Sequence, residues 1–296
     1  MLFCFLEEVR VSASCRHPSH RHPTVRLTDH HRSDRHPSVS RESLPHGARF
    51  AGSLSSWCSH ESRSLEHHTG ATAPWQARLG SAFRRSAQAT RTPQRPLLVY
   101  LHDPYCPWSY GYLPAVTELV GQVGHEVDLE VVNIGLFHGE SVTAAASPMT
   151  AVRRATGATF GPGYELALVD ATLTLDSRAA AATVIGLASA APTRELEVLA
   201  ATQRAFFWDG RSLADRVTVG AIADELGLDG PAVEVFAGSE RAAELADEDF
   251  MLARDLGARR GPMLLVSHGH HLSELEGPGT SGEQLVEQYR SVLARP

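Results

Sequence analysis

The chain of 296 residues contains no lysine, so all 27 of its basic side chains are arginines. Beside abundant alanine and glycine, that absence points to a GC-rich coding bias more than to a physical requirement. Cysteine is scarce as well. Cys4, Cys15 and Cys58 lie in the first third and Cys106 stands alone beyond it, so residues 97–296 cannot form an internal disulfide. Such usage suits a reducing compartment, and a cytoplasmic location is expected. No run approaches the roughly 20 apolar residues of a membrane-spanning helix, which excludes an integral helical membrane protein. The opening run Met1–Leu6 is too short for a secretory h-region and leads straight into Glu7 and Glu8.

The charges are unevenly shared. Residues 1–96 hold 14 Arg against 7 acidic side chains, whereas residues 97–296 hold 13 Arg against 27. An acidic body lacks the basic face that phosphate contacts need, which argues against nucleic-acid binding. Residues 1–96 also carry 10 of the 16 histidines among many Ser and Pro, and show no sustained apolar period. A segment of that kind buries too little apolar surface to offset its chain entropy, so residues 1–96 are expected to be a disordered extension. An extended reading frame with its start near residue 90 is an alternative. The histidines at 17, 20, 22, 30, 31, 36, 67 and 68 match no paired-ligand zinc spacing, and no metal is expected.

From residue 97 the pattern becomes regular. Leu97–Leu101 reads as a short buried strand, followed by a helix from Pro107 to about 122 with an apolar face of Tyr110, Leu113, Val116, Leu119, Val120 and Val123. Pro114 lies inside that helix and is expected to kink it. Residues 127–134 alternate as a second strand, completing a βαβ unit with the right-handed crossover of parallel strands. An Ala-rich helical block is expected at about 147–257. Within it, Ser212 with Asp215 resembles a capping box, and Pro231 opens a short helix. The chain then returns to strand at 263–266, turns at 267–270, and continues as a weaker strand at 271–275. Ser281 with Gln284 caps a last helix. The order βαβ, helical block, ββα predicts an α/β thioredoxin arrangement over 97–296, with the helical block as an insertion.

The chemistry concentrates in Asp103-Pro104-Tyr105-Cys106-Pro107-Trp108-Ser109. Pro107 suits the first helical position, which puts Cys106 at the N-cap, facing the free N–H groups of Trp108 and Ser109 and the positive end of the helix dipole. That setting predicts a stabilised thiolate. A two-cysteine redox motif would require cysteine at 109, and the chain has serine there. Ser109 is expected to donate a hydrogen bond to the sulfur. His102, at the end of the first strand, is a candidate to tune the thiolate, although a strand-end histidine is more often satisfied by a backbone carbonyl. Trp108 is expected at the surface beside the sulfur. His268, His270 and His271 resemble a metal triplet, but a polar hairpin turn explains them better.

The segment 103–110 resembles the active-site turn of the DsbA-like thioredoxin superfamily, specifically its cytoplasmic FrnE-type branch, which reads Cys-Pro-Trp-Cys. It is also similar to the Ser-Pro-Tyr-Ser turn of kappa-class glutathione transferases and 2-hydroxychromene-2-carboxylate isomerases. Two further segments support the likeness: Ala205–Leu213, similar to part of the helical insert, and Leu256–Leu264, similar to the turn bearing the superfamily's cis-proline. The resemblance covers about residues 97–293. It implies that Pro262 is cis, lies beside Cys106, and exposes the backbone of Gly261 to substrate. Taken together, Cys106, Ser109 and Pro262 are the expected catalytic residues, with Pro107, Trp108, Gly261, Met263 and His102 expected around the bound thiol.

With no second cysteine, a mixed disulfide on Cys106 must be resolved from outside. The expected activity is monothiol exchange with glutathione or another low-molecular-weight thiol as co-substrate and no tightly bound cofactor. Its substrate is then a disulfide or an electrophile, and homodimerisation is left open. A kappa-type transferase or isomerase, and a redox-inactive thioredoxin-fold binding module, are the competing readings.

Overall fold

The strand that leads to the cysteine forms the centre of the sheet. In a computed structural model, which describes residues 95–294 except 147 and 270, all six residues of β1 (Leu97–His102) are buried. A strand buried on both faces needs an unbroken apolar run, which Leu97–Leu101 supplies. Leu98 and Tyr100 enter the larger core cluster, while Leu97, Val99 and Leu101 enter a second one on the opposite face. All but two residues of the extension read over 1–96 lie outside the described residues. Those two, Arg95 and Pro96, join the body: Arg95 pairs with Asp128 at 3.2 Å, and the Pro96 carbonyl accepts from the Asp128 N–H.

β1 runs parallel to β2 (Asp128–Asn133) and antiparallel to β5 (Met263–His268), which in turn pairs antiparallel with β6 (His271–Leu275). The sheet order is β2-β1-β5-β6, so β2 and β6 are the edges. Helix α1 (Pro107–Val123) makes the crossover from β1 to β2 and runs through Pro114. That proline lacks the N–H that would donate to the carbonyl of Tyr110.

The last helix, α9 (Gly282–Leu293), packs beside α1 over the face that holds Tyr100 and Leu264. Its first residue is glycine for a steric reason, since a Cβ there would fall 2.5 Å from the Cβ of Glu118 on α1. The capping box is present, with Ser281 Oγ accepting from the Gln284 N–H at 3.3 Å and Gln284 Oε1 accepting from the Ser281 N–H at 3.0 Å. Ser281→Ala is expected to cost about 1 kcal/mol, read as a lower urea midpoint at unchanged m-value.

Between β2 and β5 lies the insertion. It holds α2 (Met149–Thr156), α3 (Pro162–Asp170), α4 (Ser177–Ala190), α5 (Glu195–Phe207), α6 (Arg216–Glu225), α7 (Gly230–Ala237) and α8 (Glu240–Asp255). The insertion is not purely helical. Strand β4 (Thr174–Asp176) interrupts it and pairs antiparallel with β3 (His138–Ser141), and three residues are too few to display a period of two. The expected capping box at Ser212 is also displaced. Asp215 is the N-cap of α6 and accepts from the Val217 N–H, whereas Ser212 accepts from Ala214 in the preceding turn. Both residues are good caps; Leu213 between them is fully buried and its N–H donates to Tyr105 Oη instead of to a cap. The C-terminal half of α8 covers the second face of the sheet through Leu252 and Ala253, joined by Leu256 at its C-cap.

Candidate active site

β1 ends at His102, and the turn after it carries the cysteine. The Cys106 N–H donates to the Asp103 carbonyl at 3.0 Å, closing the turn, and the Cys106 carbonyl accepts from Tyr110 as the first helical bond. Cys106 has the extended backbone of an N-cap (φ −82°, ψ 117°) and Pro107 follows inside the helix, as the residue types require.

The state of the thiol differs from the sequence expectation. Cys106 is only 4 % exposed and makes no capping hydrogen bond. Its pKa is pushed up to about 11, first by loss of solvent. The negative charge of Asp103 adds to this, and the N–H groups of Ser109 and Trp108 and the Ser109 hydroxyl oppose it without prevailing. Helix-terminus stabilisation amounts to a fraction of a kcal/mol up to about 2, and it is outweighed by the cost of charging a buried sulfur beside a carboxylate. The resting group is therefore a thiol.

Ser109 is fully buried. Its hydroxyl accepts from the Asp103 N–H at 3.3 Å, and its carbonyl accepts from Tyr100 Oη at 3.1 Å. His102 is also fully buried, its ring stacked 5.6 Å from that of Tyr100. Neither ring nitrogen has a hydrogen-bond partner among the described residues, so the carbonyl expected to satisfy it is absent. Burial pushes its pKa down to about 3, and the imidazole is neutral. Trp108 is half-buried against the core, and Pro107 is buried.

The second turn arrives alongside. Met263 pairs with Leu101, so Gly261 and Pro262 lie at the same sheet end from which the cysteine turn departs. All three are half-exposed. The expected cis bond is not found, since no cis peptide occurs among the described residues. Gly261 instead has φ +48°, which reverses the chain at a residue without a Cβ penalty. Trans X–Pro is the lower-energy isomer by roughly 0.5–1 kcal/mol, and the glycine lets the turn close without leaving it.

Asp103 is the residue that the sequence reading passed over. It is fully buried, with Oδ1 accepting from the Tyr105 N–H at 2.9 Å. Oδ2 accepts from the Leu136 N–H and from Ser177 Oγ, each at 2.7 Å. One carboxylate thus joins the cysteine turn, the loop after β2 and the start of α4. Burial raises its pKa, and the hydrogen bonds restrain the rise. An Asp before Pro at a strand end does signal an Asx-turn. The partners at 136 and 177 leave no local trace. Tyr105 extends the tie, its Oη accepting from the Leu213 N–H at 3.2 Å and its ring meeting Phe206 at 4.6 Å. The segment Ala205–Leu213 is thus the wall behind the turn.

A thiol with this pKa fixes a pH profile. At pH 7 about one molecule in ten thousand carries the thiolate, which is the reacting form. Alkylation of native Cys106 by iodoacetamide is expected to rise about tenfold per pH unit from 7 to 10. At pH 7 it should run roughly a hundredfold slower than in the urea-unfolded chain. The folded state holds this proton more tightly than the unfolded chain does. Its contribution to stability is complete below about pH 9 and is lost as pH rises through about 11. A native rate already flat above pH 8 would contradict the assignment.

A thioredoxin-type sheet with a helical insertion, and a single thiol at the first turn of the crossover helix, define the class as a thioredoxin-fold protein of the insert-bearing type. The chain belongs to the DSBA-like thioredoxin domain family, whose profile matches residues 98–293. Among solved structures it is similar to the cytosolic disulfide reductase DsbM from Pseudomonas aeruginosa, with 24 % identity and a TM-score of 0.59 over 67 % of this chain and 98 % of that one. DsbM with GSH gives 25 % identity and a TM-score of 0.58, covering 67 % and 100 % of the two chains. A structure from Nitrosomonas europaea assigned as a protein disulfide isomerase gives 21 % identity and a TM-score of 0.60 over 67 % and 98 %. No curated protein matches the sequence significantly. No helix among the described residues is long and apolar enough to cross a membrane.

Proposed function

We propose that the protein is a monothiol disulfide oxidoreductase that works through Cys106, with glutathione or a similar small thiol as resolving partner. The observation that carries this reading is the composition of the turn. Cys106 is a free thiol at the N-cap of α1, and Ser109 fills the position of a resolving cysteine. The thiolate of Cys106 attacks one sulfur of a disulfide, the S–S bond breaks, and the departing thiolate takes up a proton. A second thiol then attacks the mixed disulfide, forms a disulfide with the departing group and returns Cys106 to the thiol. Its family membership and the likeness to DsbM with GSH support this reading. Ser109 lies with its N–H and hydroxyl toward the sulfur, where both favour the charged form. Gly261, Pro262 and Met263 offer half-exposed backbone beside the turn for an extended thiol or peptide.

Incubation with oxidised glutathione followed by intact-mass measurement tests the reading. A glutathione adduct on Cys106, located by peptide mapping and absent in Cys106→Ser, is the expected result. Absence of an adduct at pH 9 would refute it. The burial of the thiol favours a second reading, a redox-inactive thioredoxin-fold binding module. That reading expects neither adduct formation nor glutathione-dependent turnover of an aromatic electrophile. Turnover without an adduct would instead identify a kappa-type transferase.

A further inference from the structure

On its side away from β1, the edge strand β2 faces a cavity of about 270 Å³ walled by α4, α5 and α8. Its lining shares no residue with the cysteine turn or the Gly261–Met263 turn. Val131, Ile185 and Leu199 contribute apolar wall, whereas Glu130, Asn133, Ser189, Glu195 and Asp249 are its polar residues, and no Arg or His lines it.

Asn133 is 1 % exposed, and its N–H points away from β1 as required at an edge. That N–H and the side-chain Nδ2 both donate to Asp249 Oδ2, at 3.2 and 2.7 Å. A carboxylate only accepts, so this bond fixes which way the amide faces. Asn133 Oδ1 is left buried with no donor among the described residues. Unsatisfied buried acceptors are rare in folded proteins and call for a donor from elsewhere. Burial holds the carboxyl of Asp249 up at about 6, and Glu195 is raised in the same direction.

An unpaired buried acceptor, a carboxylate beside it, two further carboxylates and an apolar wall together describe a partner with N–H donors, positive charge and a hydrocarbon body. We propose that this cavity binds a small organic cation, a primary ammonium or guanidinium on a short apolar chain. Its head group sits between Asn133 Oδ1 and Asp249, and its chain lies along Val131, Ile185 and Leu199. The site is independent of the chemistry at Cys106.

Calorimetric titration of the full chain with n-hexylammonium tests this, with hexanol and hexanoate as neutral and anionic counterparts. Saturable binding of the ammonium is expected, weaker by about tenfold or more for hexanol and by the same factor in Asp249→Asn. Absent binding, equal binding of hexanol, or undiminished binding in folded Asp249→Asn would each overturn the proposal. Should that variant fail to fold, Ala188→Phe on the half-exposed wall replaces it. Binding lost on filling the cavity supports the site, and binding retained overturns it. Alkylation of Cys106 is expected to be unchanged in either variant.

Discussion

Ser109→Cys is expected to convert the turn into a dithiol site that closes its own disulfide. Residue 109 is three positions after Cys106, within the first turn of α1, so both side chains lie on one side of the helix start. The Cα separation across such a turn lies within the range that a disulfide bridges. The fold should tolerate the change, at the cost of the hydrogen bond from the Asp103 N–H to the serine hydroxyl, about 1 kcal/mol. A glutathione bound at Cys106 would then be expelled from within. An attacking thiol held in place acts at a very high effective concentration, so adduct release should accelerate by about a hundredfold or more. Mass spectrometry after mild oxidation should show the loss of two hydrogens and no alkylatable thiol in the body. In its reduced form the variant should reduce about one equivalent of insulin disulfide without glutathione, ending as the intramolecular disulfide. A persistent glutathione adduct with a second free thiol would show that position 109 cannot reach the sulfur.

The second large effect is expected at Asp103. Asp103→Ala leaves the Tyr105 N–H, the Leu136 N–H and the Ser177 hydroxyl without their acceptor, all in a buried setting. Each orphaned donor costs about 1–3 kcal/mol, and together they approach the whole stability of an ordinary domain. Asp103→Asn keeps the shape and one acceptor oxygen, so its loss should be smaller, about 1–3 kcal/mol. The same substitution removes the negative charge that helps to hold the Cys106 thiol up. The variant should therefore be less stable in urea yet faster to alkylate at pH 7, with its pH–rate profile displaced to lower pH. A purely structural role for Asp103 predicts the first change without the second. An unmoved profile in folded Asp103→Asn would sink the electrostatic argument.

Much of the scaffold was legible because its signals are local. Leu97–Leu101 is apolar without interruption, as a strand buried on both faces must be. Pro107 suits the first helical turn, and Ser281 with Gln284 forms a capping box wherever the next residues are helical. The signals that failed were those with competitors. Ser212 and Asp215 are equally good caps, and nothing in their local sequence says that the Leu213 N–H goes to Tyr105. Strand β4 spans too few residues to show a period and exists because β3 pairs with it.

The candidate site divides in the same way. Which residues stand in the turn, and that no second cysteine follows, is settled by the order of amino acids alone. So is the N-cap position of Cys106, because proline admits few alternatives at a helix start. Whether the thiol is charged was decided by the tertiary structure. The helix terminus and the charge of Asp103 act through neighbouring residues, whereas burial depends on the packing around the turn and outweighs the helix terminus. The pairing of Asn133 with Asp249 belongs to the same class. Local conformation follows from a few adjacent side chains, but protonation and unpaired polarity follow from which distant chain excludes the water.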